Sequence, residues 1–146
     1  MKLAQGMIGR ILVVRLDQNE DLLEGIEKAC KEVGIKRGIV YGIGSLKKAR
    51  VTTRLSNNES EVIEISTKDK EIINISSLMG IISTEKDGIH LNIYLTLSKA
   101  DGTVISGRAL SGNLVNPSTE LVILEIQKIK LERVTKEGYK ILMPYE

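Results

Sequence analysis

At 146 residues, 42% apolar and 27% charged, the chain suits one domain, residues 1–146, with a substantial core. A net charge of +2 gives neither the strongly basic footprint of many nucleic-acid binders nor an acidic tail. The single cysteine, Cys30, excludes an intramolecular disulfide and suggests a reducing, cytoplasmic setting; no apolar run could span a bilayer, and no signal pattern opens the chain, so no membrane partner is expected.

Residues 7–16 are rich in β-branched side chains and read as a first strand. Asp17 and Glu20 have the spacing of a capping box, with Asn19 as a rival cap. Leu22, Leu23, Ile26, Cys30 and Val33 then recur at helical spacing, and Gly34 is placed to end the helix. Cys30 lies on the apolar stripe, which suits a core residue better than a nucleophile.

Residues 38–46 form a strand interrupted by Gly42 and Gly44, a pattern that marks a bulge or a close backbone approach. Further strands are expected over 51–55, 61–66 and 71–83, with a loop at 56–60 and a turn at 67–70. From 88 to 98 the alternation is strict. Ile89, Leu91, Ile93, Leu95 and Leu97 point one way, and His90, Asn92, Tyr94, Thr96 and Ser98 the other. Asp101-Gly102 is a strong hairpin signal, and the returning strand carries Arg108. Pro117 should break regular pairing. A long strand over 121–131 and a turn at Glu137-Gly138 complete the chain. About eight strands and one helix imply an α+β protein: a mainly antiparallel sheet with one long amphipathic helix packed against it.

Two candidate sites emerge. Lys47, Lys48, Arg50 and Arg54 form a basic cluster suited to DNA phosphates, and Lys128, Lys130 and Arg133 form another. Their plainer reading is solvated strand edges, where lysines oppose aggregation. His90, the only histidine, with Asn92, Arg108 and Arg15, could instead line a polar pocket in which Arg108 clamps a carboxylate or phosphate. Its plainer reading is a set of structural hydrogen bonds, with Arg108 paired to an acid such as Glu120. No Ser-His-Asp order, paired-carboxylate spacing or phosphate loop stands out, which leans away from an enzyme.

An ordered set of short motifs carries a family resemblance. It comprises Gly9-Arg10, Arg15-Leu16, Glu20 to Ile26, Cys30, Gly34-Ile35, Gly42 to Leu46 with Ala49, Ser77 to Gly80, Asp101-Gly102 with Val104-Ile105, and Glu120. Together they resemble the plant and prokaryote conserved (PPC) domain from Gly9 to about Glu125. The resemblance implies an antiparallel α+β domain, a homotrimer, and the DNA-binding assignment that stand-alone prokaryotic members carry through the AT-hooks of their plant relatives. No AT-hook occurs here, and the plant Gly-Arg-Phe-Glu-Ile-Leu segment is not kept at 71–76. Many prokaryotic members have His-x-His on the long strand and a third His on the returning one. The matching positions here are His90, Asn92 and Arg108, so neither a metal nor another cofactor is expected. The expected partners are further copies of the chain, duplex DNA bound weakly through its phosphates, or, alternatively, a small anion in a pocket around His90 and Arg108.

Overall fold

The computed structural model describes residues 1–56, 58–68 and 70–146. Within them the chain runs β1 (Met7–Asp17), α1 (Leu22–Val33), β2 (Gly38–Arg54), β3 (Ser60–Ser66), β4 (Ile73–Glu85), β5 (Gly88–Ser98), β6 (Val104–Ala109), β7 (Leu114–Gln127), β8 (Lys130–Lys136) and β9 (Tyr139–Tyr145). Residues 57 and 69, in the expected loop at 56–60 and turn at 67–70, lie outside the described residues.

The strands form one nine-stranded sheet in the order β1-β7-β2-β6-β5-β4-β8-β9, with β3 paired to β2. The 17-residue β2 replaces the two strands expected over 38–46 and 51–55. It pairs with β4 and β7 through its first half and with β3 and β6 near its end. The ladders β2–β6, β6–β5, β5–β4 and β4–β2 therefore return to β2 and close a barrel-like ring. Gly44 allows the close approach: a Cβ there would stand 2.5 Å from Thr119 Cα and 2.6 Å from Ser118 O. The β2–β4 register shifts between Gly42 and Gly44, as glycines inside a strand suggest. The β2–β7 register shifts between Gly44 and Leu46, opposite Pro117, which has no N–H to give the ladder.

The expected α+β architecture with a long helix is corrected to a mainly β one. Strands hold 65% of the chain and helix 8%; α1 has 12 residues. The helix starts late because backbone pairing to Val115 of β7 holds Asn19 and Glu20, and Asn113 just ahead of β7 holds the first helical N–H. Asn19 N–H donates to Val115 O at 2.9 Å, Val115 N–H to Glu20 O at 3.0 Å and Leu22 N–H to Asn113 O at 2.9 Å. The cap is Asp21, which accepts from Glu24 N–H at 3.1 Å, rather than Asp17 or Asn19. Gly34 ends the helix in the left-handed region at φ 74°.

The core lies on one side of the sheet. Leu22, Ile26 and Cys30 of α1 pack with Leu78 and Ile82 of β4, Ile93 and Leu95 of β5, and Leu121 and Ile123 of β7. Each fully buried Leu or Ile stabilises this side by about 1.5–3 kcal/mol. The opposite face carries the polar side chains of β5.

Candidate functional site

Alternation along β5 turns His90, Asn92 and Tyr94 away from the core. Register then fixes their neighbours: Ser83 of β4 faces His90, Arg108 of β6 faces Tyr94, and Thr52 of β2 faces Arg108. Arg54 follows Thr52 by two residues and shares its face. Over this end of the face folds the β8–β9 hairpin. It bridges β4 at Thr84 and Glu132, accepts the Thr84 hydroxyl on Leu131 O at 3.0 Å, and ties Lys140 to Glu85 at 2.8 Å. The hairpin brings Arg133, Tyr139 and Lys140 opposite His90 and Arg108.

The result is a cavity of about 820 Å³ lined by Arg54, His90, Asn92, Arg108, Arg133 and Lys140, with tyrosine rings and hydroxyls between them. Among the described residues no carboxylate lines it. Lys140 has Glu85 as its partner, whereas none of the described residues forms an ion pair with Arg54, Arg108 or Arg133. The Arg54 guanidinium stands 4.9 Å from the centre of the Tyr139 ring. Burial, and then the neighbouring Arg133, hold the His90 imidazole below its ordinary pKa; Glu85 opposes this, while Lys140 and Arg108 add to it. Burial also lowers Arg133. Three buried side-chain atoms lack a hydrogen-bond partner among the described residues: Ser83 Oγ, His90 Nδ1 and Arg133 Nε.

Of the pocket residues expected from sequence, His90, Asn92 and Arg108 come together. Arg15 does not join them. It lies on β1 paired with Asp17 at 2.9 Å, beside a second groove lined by Tyr41, Ile43 and Glu120. Glu120 faces Arg15 in the β1–β7 ladder and is not the partner of Arg108. The basic cluster also divides. Arg54 enters the cavity, Lys47 donates to Asn19 Oδ1, Lys48 pairs with Glu64 at 3.4 Å, and Arg50 donates to Ser111 O at 3.4 Å. Cys30 is fully buried in the core, and burial pushes its thiol up to about 11.

Sequence reasoning missed Arg133 and Lys140 as members of the His90 site. The Glu137-Gly138 turn signalled their hairpin, but the bridge to β4 joins residues far apart in the chain. The donor set does not fit a metal ion. His90 has ring nitrogens, Asn92 offers a neutral amide, and Arg108, Arg133 and Arg54 carry positive charge with no lone pair to donate. Among the described residues no three His, Cys, Asp or Glu side chains gather into a metal-holding group. Nor is any described helix long and apolar enough to cross a membrane.

Solved structures share this fold. A plant- and prokaryote-conserved (PPC) protein from Pyrococcus horikoshii is 26% identical, with a TM-score of 0.86 over 100% of this chain and 97% of its own. A metal-containing protein from Archaeoglobus fulgidus is 24% identical, with a TM-score of 0.85 over 100% of both chains. A Bacteroides thetaiotaomicron protein described as a "putative dna binding protein" is 19% identical, with a TM-score of 0.79 over 95% of this chain and 96% of its own. No curated protein matches the sequence. The model of the Plants and Prokaryotes Conserved (PCC) domain matches residues 3–127, and the chain belongs to that family.

Proposed function

We propose that this protein binds a small anionic molecule in the cleft beneath the β8–β9 hairpin. The observation that carries this reading is the convergence of Arg54, Arg108, Arg133 and Lys140 on a cavity with no carboxylate among its described lining residues. Low-dielectric walls lined by one sign of charge concentrate the opposite charge, and guanidinium groups form strong, directional bonds to carboxylate or phosphate. The cavity volume suits a metabolite-sized guest. Calorimetric melting in polyvalent anions tests the proposal. Phosphate, sulfate and citrate should each raise Tm above chloride at equal ionic strength, since a ligand of the folded state stabilises it by mass action. Arg108→Ala should reduce the gain. If no polyvalent anion exceeds chloride, the reading fails.

A second reading is phosphate-directed binding of duplex DNA with weak sequence preference. It is supported by the description of the Bacteroides relative and by the basic side chains of β2, Lys47, Lys48, Arg50 and Arg54. Both readings sit with a proposed homotrimer, the assembly that the family resemblance implies. An apolar row supports self-association. Val13, Val122, Tyr41, Met79 and Tyr94 are successive register partners across β1, β7, β2, β4 and β5, and all five are exposed.

A further inference from the structure

Resting on the anion-binding reading, we propose that the β8–β9 hairpin is a strap closed by anions: a polyvalent anion joins Arg133 and Lys140 of the hairpin to Arg54 and Arg108 of the barrel, and the hairpin swings free when no such anion is bound. The barrel does not need the hairpin. Its closing ladders are β2–β6, β6–β5, β5–β4 and β4–β2, and the matched family domain ends at residue 127. Among the described residues β9 pairs only with β8, and β8 meets β4 at one bridge, Thr84 with Glu132. Freeing the strap therefore breaks that bridge and leaves the ladders of the barrel whole.

The hairpin is fastened at its base and lightly held beyond it. Ile129 and Leu131 are buried, Arg37 donates to Ile129 O, and Leu131 O accepts from the Thr84 hydroxyl. Past Leu131 no residue of the hairpin is buried. Its outer part is tied by the Lys140–Glu85 pair, in which the Lys140 side chain is 54% exposed, and by the Arg54 guanidinium over the Tyr139 ring. Exposed ion pairs and single cation–π contacts are weak ties. A two-stranded hairpin alone in water is marginal, so a β8–β9 unit that leaves the barrel also frays.

Charge decides what holds the strap down. Arg54 and Arg108 line the cleft from the barrel, and Arg133 and Lys140 line it from the hairpin. The charges of Arg133, Lys140 and Arg108 all reach His90, with Glu85 as the opposing acid. The acids of the hairpin, Glu132 and Glu137, do not line the cleft. Like charges on the two sides push hairpin and barrel apart, and a small monovalent ion only screens them. An anion with two or more charges accepts hydrogen bonds from both sides at once and turns the repulsion into attraction. Binding and docking then share the same contacts, so each favours the other by the same factor.

Backbone hydrogen exchange of the full chain, followed amide by amide by NMR, tests the strap in sodium chloride and in sodium citrate or phosphate at equal ionic strength, beside the melting series. In chloride the amides of β8 and β9 should exchange faster than those of β4 and β5. Citrate and phosphate should slow them about fivefold or more, as for coupled sites generally. The Lys99 and Gly102 amides, bonded within the β5–β6 turn and away from the cleft, should not change. Glu85→Gln removes an outer tie without touching the cleft lining, so it should speed hairpin exchange in chloride, and citrate should still slow it. Arg108→Ala removes a cation on the barrel side and should hold the hairpin near its chloride rate in citrate, while protected β4 and β5 amides show that the barrel is folded. Hairpin amides as slow in chloride as those of β4 and β5 overturn the strap. So does slowing that extends equally to Lys99 and Gly102, or that survives Arg108→Ala undiminished. A melting gain in citrate and phosphate with hairpin exchange unmoved overturns the strap and leaves the anion reading standing. No melting gain and no slowing overturns both.

Discussion

Ser83 and His90 stand opposite each other across the β4–β5 ladder, and each carries a buried side-chain atom with no partner among the described residues. In the ligand-free protein His90 should titrate below the ordinary histidine value of 6.5, because burial and Arg133 both oppose its charge. Removing the charge in Arg133→Gln should move the midpoint upward. The sign for stability follows. The unfolded chain takes up the proton first, so as pH falls below about 6.5 the folded state is progressively penalised until His90 itself is protonated. Imidazole NMR across pH 4 to 8 (roughly the range in which histidines titrate) reads the midpoint directly. A value at or above the ordinary one, unmoved by Arg133→Gln, contradicts the electrostatic picture of the cleft.

The β1–β7 side of the sheet makes a second pH prediction. Glu125 accepts from the Arg10 guanidinium at 2.5 and 3.1 Å and from Gln127 at 2.7 Å, while Arg10 also donates to Val33 O, at the helix end, at 2.7 Å. The hydrogen bonds from Arg10 lower the Glu125 pKa from 4.5 to about 2. A depressed carboxylate contributes stability that is fully present above its unfolded value and lost as pH falls toward the folded one. The wild type should therefore exceed Glu125→Gln in urea midpoint at pH 7, with the gap narrowing between about 4.5 and about 2. Arg10 is half exposed, so the gap should be modest. A gap that does not change across this window would mean that the pair does not titrate as described.

Much of this architecture was legible because strand alternation is a local property. The β5 pattern separated Ile93 and Leu95, now in the core, from His90 and Asn92, now in the cleft. Asp101-Gly102 marked the β5–β6 hairpin, and that hairpin placed Arg108 beside Tyr94. What remained hidden was non-local. Arg15 and Arg108 looked equally available in sequence, but β1 pairs with β7 and carries Arg15 to a different groove. The contribution of Arg133 required β8 to lie parallel against β4, a contact of one bridge that no periodicity encodes. The helix was overestimated because its capping signal ignored competition: Asn19 and Glu20 bond to Val115 of β7 before a helix can claim them.

The DNA reading has its own discriminating measurement. Phosphate-directed binding releases counterions, so the logarithm of affinity should fall with the logarithm of salt by about 0.9 per phosphate neutralised and depend little on sequence. Lys47→Ala, Lys48→Ala and Arg50→Ala combined should weaken it, although Lys48 already has Glu64 and Lys47 has Asn19. These three are absent from the residues lining the cleft, so the triple variant should leave phosphate binding there unchanged. A mobility shift with no complex at low salt on any duplex removes this reading.

Self-association is the last expectation. Tyr41 and Met79 are adjacent in the β2–β4 ladder and are 45% and 54% exposed, at the centre of the apolar row running from Val13 to Tyr94. Leaving such a row in water forgoes roughly 25 cal/mol for each Å² of apolar surface that another copy could cover. Closed symmetry satisfies every copy of the row at once, and three-fold closure is the form the family resemblance implies. Light scattering at micromolar concentration should then give three times the 16.1 kDa of one chain. Met79→Glu should shift the mass toward one chain with circular dichroism unchanged, because Met79 lies outside the core cluster. Replacing Arg50, off the apolar row, should not. Tyr94 is both the end of the row and part of the cleft wall, so phosphate affinity in the Met79→Glu protein tells whether assembly shapes the cleft. A wild-type monomer at all concentrations would sink the trimer.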